Sequence, residues 1–254
     1  MSILKKNEIV FQKQTNFNNL TVIRKGNIIT LWSGANKQTE IDADNPLCTR
    51  LEYSRNFFLS LVFHPDPGSI LALGLGGGAI PTLLHSILEK AVIDVVEIDP
   101  EMPAIAKKYF NFSISERLRL FIDDAFFYIR DTKKNYDIVL MDAYIENQIP
   151  ETVDSTAFFA EAARVLAPNG IFVANLMTVH KEHFENIIER MSGIFKDIRI
   201  LPGIASTNSL VFASRDRILN TKMQKKTKTL MKKIPFELKI HKLLGRLEHI
   251  KGQG

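Results

Sequence analysis

The sequence predicts an α/β protein with one mostly parallel central sheet, on three observations. An apolar run at residues 70–73 leads straight into Gly74-Leu75-Gly76-Gly77-Gly78. A second apolar run starts at Val92 and ends in a carboxylate, Glu97, about 20 residues past the glycines. Strand-length apolar runs then alternate with helical periodicity as far as Ser214. Four apolar residues in a row fit a strand covered on both faces. Glycines let the chain turn tightly and approach a ligand. A carboxylate at the end of the next strand offers acceptors to ribose hydroxyls. Together these make the βαβ plan of a nucleotide site.

The elements follow in order. Residues 9–14, 20–25 and 28–33 alternate as short strands, with Asn18-Asn19 and Lys25-Gly26-Asn27 as turns. They predict a small antiparallel region and connecting loop over residues 1–48, with 34–48 polar and turn-like. A helix is predicted from 49 to 63, stopped by His64-Pro65-Asp66-Pro67-Gly68. The glycine-loop strand comes next, then a helix to about residue 90 with Pro81 in its first turn. Beyond Asp99, a helix at 100–110 precedes a strand at 118–122, followed by Asp123-Asp124-Ala125 and a helix from 126 to 131. A strand at 136–142 ends in a second carboxylate, Asp142. Residues 143–154 read as a loop and 156–166 as a helix closed by Pro168-Asn169-Gly170. A strand at 171–176, a helix at 180–191 and an antiparallel pair near 198–201 and 210–214 complete a domain spanning 49–216. Right-handed crossovers put the glycine loop, Glu97, Asp124 and Asp142 on the same sheet edge.

The formal charge of +5 conceals a division. Residues 215–254 carry a net +9 and the rest a net −4. The basic character therefore belongs to an extension at 217–254, and a uniformly nucleic-acid-binding surface is not expected. Lys222, Lys225, Lys226, Lys228, Lys232 and Lys233 precede apolar residues whose spacing, Ile240 to Leu244 and Leu243 to Leu247, suggests a short amphipathic helix on a solvated tail. Such a tail has a partner subunit, anionic lipid or RNA as its possible contacts. No run is long and apolar enough for a membrane-spanning helix, and the N-terminus lacks a signal-peptide core. The single cysteine, Cys48, leaves no internal disulfide and no cysteine-built metal site, which suits a reducing cytoplasm. His and Asp do not cluster in a metal-ligand spacing, so no metal is expected.

Five segments carry a family resemblance: residues 70–81 (ILALGLGGGAIP), 95–100 (VVEIDP), 122–126 (IDDAF), 136–144 (YDIVLMDAY) and 158–176 (FFAEAARVLAPNGIFVANL). The pattern resembles the class I S-adenosylmethionine-dependent methyltransferase fold, and within it the spermidine synthase-like branch. The resemblance covers about residues 9–214. It implies a Rossmann-like, seven-stranded sheet in the order 3-2-1-4-5-7-6, with strand 7 antiparallel, and a homodimer. It implies that Gly74, Gly76 and Gly78 form the nucleoside loop, with Glu97 on the ribose and Asp124 and the Ala125 N–H at the adenine. By the same resemblance Gln38 contacts the nucleoside and Tyr144 stands at a substrate-loop position; Tyr53, on the helix before the first sheet strand, is a further candidate for the pocket, with packing the alternative for both tyrosines. The co-substrate implied is decarboxylated S-adenosylmethionine, and the partner a small amine.

Asp142 is the residue expected to carry chemistry. A protonated amine has no lone pair with which to attack a carbon beside a sulfonium. A carboxylate takes its proton, or orients the amine once it is lost. Glu146 and Glu151 are further acids, open to two readings: contacts for an amine or solvated surface groups. The chain departs from the polyamine-synthase pattern at Ala79, where an aspartate usually follows the glycines. Alanine cannot accept from an ammonium. Three readings stay open: aminopropyl transfer to a diamine or polyamine, methyl transfer to a small molecule from intact S-adenosylmethionine, and a non-catalytic nucleoside-binding or scaffold protein.

Overall fold

The computed structural model describes residues 7–144, 149–204, 207–216 and 224–252. An antiparallel sheet comes first: β1 (Glu8–Gln14), β2 (Asn19–Lys25), β3 (Ile28–Ser33), β4 (Asn36–Asp42) and β5 (Asn45–Thr49), in sequential order. The last two strands occupy the stretch expected to be a loop. Their polar composition hides an alternation that buries Thr39 and Ile41 and leaves Lys37 exposed. Pro46 is tolerated because β5 is the sheet's edge.

The helix expected at 49–63 is divided into α1 (Glu52–Asn56), a 3-10 turn (Phe57–Leu59) and α2 (Ser60–Phe63), with Thr49 belonging to β5. The division falls where Phe57, Phe58 and Leu59 are all buried.

The chain then alternates as the sequence predicts: β6 (Ser69–Leu73), α3 (Ala79–Ile87), β7 (Val92–Glu97), α4 (Met102–Phe110), β8 (Leu118–Ile122), α5 (Ala125–Asp131), β9 (Tyr136–Met141), α6 (Thr156–Arg164), β10 (Leu166–Met177), α7 (Lys181–Ser192), β11 (Asp197–Pro202) and β12 (Asn208–Ser214). The tail adds α8 (Lys225–Met231), α9 (Ile240–Leu244) and β13 (Glu248–Lys251). The second sheet runs β13-β11-β12-β10-β9-β6-β7-β8. Seven of its strands stand in the expected order 3-2-1-4-5-7-6, and β12 is antiparallel to both neighbours. The sheet has eight strands rather than seven, because β13 pairs antiparallel with the outer edge of β11. Strand β10 starts at Leu166, earlier than expected, and its register against β9 shifts between Leu166 and Ile171 where Asn169 turns left-handed.

The basic tail is not a solvated extension over its described residues. Leu230, Ile234, Ile240 and Leu243 are buried in the same core as α1–α4, and Phe236 meets Phe58 edge-on at 5.8 Å. The expected helix stops at Leu244, with Gly245 at its C-cap before the turn into β13. Lys222 lies outside the described residues.

Alternation along the strands fills two layers. Ile70, Ala72, Ile138, Leu140, Ile171 and Val173 pack toward the N-terminal sheet, α1–α4 and the tail. Leu71, Leu73, Val139, Met141, Phe172 and Ala174 pack toward α5–α7. By the same parity Asp142, following Met141, belongs to the layer shared with the N-terminal sheet. No helix among the described residues is long and apolar enough to cross a membrane.

Candidate active site

The site is built at the carboxyl ends of β6, β7, β9 and β10. Gly74 follows β6 with φ +97°, and a Cβ there would overlap the Asp142 carbonyl. Only glycine lets the loop pass that close. The Gly74 N–H donates to the Val96 carbonyl, and the Asp142 N–H to the Leu73 carbonyl, both at 2.8 Å. The loop is thereby laced to both neighbouring strands. Gly78 (φ +77°) caps α3, and a Cβ there would come within 2.7 Å of Phe112. Gly74 and Gly76 line the resulting cleft; Gly78 instead supports the turn.

Glu97 is buried at the end of β7. Its Oε2 accepts from the Leu75 N–H at 2.9 Å and its Oε1 from the Asp99 N–H at 2.8 Å. Burial pushes its pKa up, against the pull of these backbone donors. Each oxygen keeps acceptor capacity for a hydroxyl. Asp124 is the N-cap of α5, its Oδ1 accepting from the Phe126 N–H at 2.7 Å. That bond holds the carboxylate and Ala125 at the far wall of the cleft.

The N-terminal sheet is fastened over this edge. Thr39 Oγ1 accepts from the Gly77 N–H at 2.8 Å. The buried Asp99 accepts from Thr15 Oγ1 at 2.7 Å and Asn18 Nδ2 at 3.1 Å. These contacts bring Gln38 of β4 to the wall of the site.

Two clefts meet there. The first includes Gly74, Gly76, Glu97, Ile98, Asp124 and Ala125 in its lining. The second includes Glu52, Tyr53, Asn175 and Asn208. Gln38, Asp142 and Tyr144 border both. Asp142 Oδ1 accepts from Asn175 Nδ2 at 2.8 Å, and burial pushes the Asp142 carboxyl up to about 6. Tyr53 donates to the Gln38 carbonyl at 2.9 Å, and Tyr144 to the Asn175 carbonyl at 2.7 Å while accepting from the Met177 N–H at 3.1 Å. Burial and the Asp142 charge push both tyrosines upward, so they stay neutral hydrogen-bonding groups at physiological pH.

The structure thus gathers Gln38, Tyr53, Gly74, Gly76, Glu97, Asp124, Ala125, Asp142 and Tyr144 around one junction. Glu151 is exposed and lines neither cleft, and Glu146 lies outside the described residues. Sequence reasoning passes over Asn175 and Asn208. The signal for Asn175 is a lone amide inside the apolar run 171–176, level with Asp142 on the adjacent strand.

Comparison with known proteins decides among nucleotide folds. Residues 57–208 match the model of the spermine/spermidine synthase domain. The chain belongs to that family. It is 34% identical over 153 residues to a polyamine aminopropyltransferase of Vibrio vulnificus, a match covering 58% of this chain and 51% of that protein. The chain therefore spans about half the length of that relative. It is also 26% identical over 171 residues to the human eEF1A lysine and N-terminal methyltransferase, covering 61% of this chain and 24% of that protein. Among solved structures, a probable spermidine synthase from Corynebacterium glutamicum shares the fold, with a TM-score of 0.76 at 15% identity, covering 96% of this chain and 91% of that one. The matched span includes the glycine loop, Glu97 and Asp142.

Proposed function

We propose that this chain transfers an aminopropyl group from decarboxylated S-adenosylmethionine to a small diamine or polyamine. The carrying observation is the position of Asp142, half-buried where the nucleoside cleft meets the acceptor cleft. In this reading Glu97 receives the ribose hydroxyls, Asp124 and Ala125 the adenine, and Gln38 closes the junction. Gly74 and Gly76 bring the backbone against the nucleoside. Asp142 accepts the proton of the attacking amine, whose lone pair then displaces a neutral thioether in line. Tyr53 and Tyr144 shape the acceptor side.

The cavity beside Ala79 supports the decarboxylated form. It is lined by Gln38, Thr39, Ser54, Ala79 and Asp142 among others, and none of the described residues in its lining is a Lys, Arg or His. A methionine carboxylate there would meet Asp142 and no compensating cation, whereas an amino end meets acceptors. One observation favours methyl transfer as a second reading: Ala79 removes the acid that polyamine synthases carry at that position, and with it a source of repulsion against a carboxylate. Incubation with a diamine and either co-substrate separates the two. Methylthioadenosine from the decarboxylated form supports aminopropyl transfer; S-adenosylhomocysteine from the intact form replaces it with methyl transfer. Formation of neither points to a non-catalytic protein.

In the same reading, residues 49–216 are the catalytic unit, residues 1–48 supply its cover, and 217–254 brace it. The protein works as a homodimer in the cytoplasm; sedimentation tests the first and fractionation of cells the second.

A further inference from the structure

We propose that Asn208 is a positioning residue: it sets the direction of the Asn175 amide and so holds the Asp142 carboxylate ready to accept a proton. The inference rests on the reading of Asp142 as the proton acceptor.

Three side chains form one line. Asp142 Oδ1 accepts from Asn175 Nδ2 at 2.8 Å, and Asn175 Oδ1 accepts from Asn208 Nδ2 at 2.9 Å. Strand register makes the line. Ala174 pairs with Met141, so Asn175 and Asp142 are the next residues on adjacent parallel strands. Across β10 and β12, Asn175 pairs with Leu210 and Met177 with Asn208, which puts Asn175 and Asn208 on one diagonal of the same face. Asn175 is buried. Its main chain is held as well, by Tyr144 at the carbonyl.

Direction follows from chemistry. An ionised carboxylate only accepts, so the NH₂ end of Asn175 must face Asp142. The oxygen end then faces Asn208, which supplies the donor. The terminal torsion of asparagine is broad and roughly two-fold, so the amide alone does not choose its direction. Without the Asn208 donor, Asn175 is free to turn its oxygen toward Asp142. That arrangement repels the ionised carboxylate and favours the protonated one. Asn208 thus biases Asp142 toward the charged form without bringing a charge of its own.

Among the described residues, the other groups around Asp142 do not replace this contact. Tyr53 on α1 and Tyr144 on the loop after β9 face it as neutral phenols. On the acceptor side, Glu40 of β4 is paired with Lys37 at 2.6 Å and Arg50 at 3.4 Å, and Glu52 accepts from the Ile204 N–H at 3.0 Å. Glu97, Asp123 and Asp124 line the nucleoside side.

The test is a carboxyl ¹³C NMR titration of Asp142, assigned by its loss in Asp142→Asn, in the full chain. Asn208→Leu removes the donor at similar size; Asn208→Ala serves if the leucine variant does not fold. The expected result is a rise of about one unit in the Asp142 midpoint, a tenfold change in the ionisation equilibrium. In an Asn175→Leu background the same Asn208 substitution should add nothing, because the effect passes through Asn175. An unchanged midpoint, or an equal shift in both backgrounds, overturns the proposal. The titration needs no turnover, so failure of aminopropyl transfer in the wild-type chain would be seen separately.

Discussion

Asp142 and Asn175 stand side by side at the ends of the adjacent parallel strands β9 and β10, joined by a 2.8 Å bond from the Asn175 amide to the Asp142 carboxylate. No cation of the described residues pairs with Asp142 among the ion pairs of this structure. A neutral donor in a half-buried setting leaves the carboxyl a better base than an ordinary aspartate. That relationship governs the behaviour expected of the site.

Asp142→Asn removes the proton acceptor and keeps the shape. Turnover should fall by roughly 10²–10⁴-fold, while calorimetric affinity for the nucleoside co-substrate changes only a few-fold. A fall in affinity matching the fall in turnover would show Asp142 to be a binding group instead.

The pH dependence has a definite sign. A protonated Asp142 cannot take a proton from the amine, so kcat should fall about tenfold per unit below a midpoint near 6. Stability runs the other way. The folded pKa lies above the ordinary aspartate value, so protonation stabilises the fold and that contribution fades as pH rises through about 6. Asp142→Asn should therefore stabilise at pH 7.5, by roughly 1–2 kcal/mol after discounting for the solvent-open clefts, and hardly at all near pH 4. Denaturant melts at the two pH values measure the difference.

Glu97→Gln tests the ribose acceptor. The amide replaces one carboxylate oxygen with a donor, which then faces either the Leu75 or the Asp99 N–H. Co-substrate affinity should drop by about 10- to 100-fold and stability by roughly 1–3 kcal/mol. Calorimetry and urea unfolding read the two effects separately, and unchanged affinity would remove Glu97 from the site.

Gly74→Ala should be severely destabilising, by more than about 3 kcal/mol, since the new Cβ overlaps the Asp142 carbonyl in a left-handed backbone. Gly34→Ala is the control. It shares a positive φ, +55°, but meets open space, so about 1 kcal/mol is expected. Equal losses in the two variants would show that the close approach at Gly74 does not matter.

The parts of this architecture legible in the sequence are those written by short stretches of chain. The glycine loop, Glu97 and Asp142 each end or follow an apolar run that forms a buried strand, and Asp124 follows the edge strand β8, so sheet topology brings them to one edge. What escaped reading depends on pairings distant in sequence. Residues 34–48 read as loop because polar side chains mask the burial of Thr39 and Ile41. The eighth strand escaped because Glu248–Lys251 has little apolar content and is specified by the free edge of β11. Asn208 reads as part of a turn, and its bond to Asn175 exists only through the register of β10 on β12.

Aminopropyl transfer at the Asp142 junction leaves a product that can be weighed. The most direct measurement is mass-spectrometric product analysis after incubation with putrescine and decarboxylated S-adenosylmethionine, with intact S-adenosylmethionine in a parallel reaction. Spermidine and methylthioadenosine are expected in equal amounts from the decarboxylated form, and no methylated amine from the intact one. Methylated product with S-adenosylhomocysteine, and no spermidine, would contradict aminopropyl transfer.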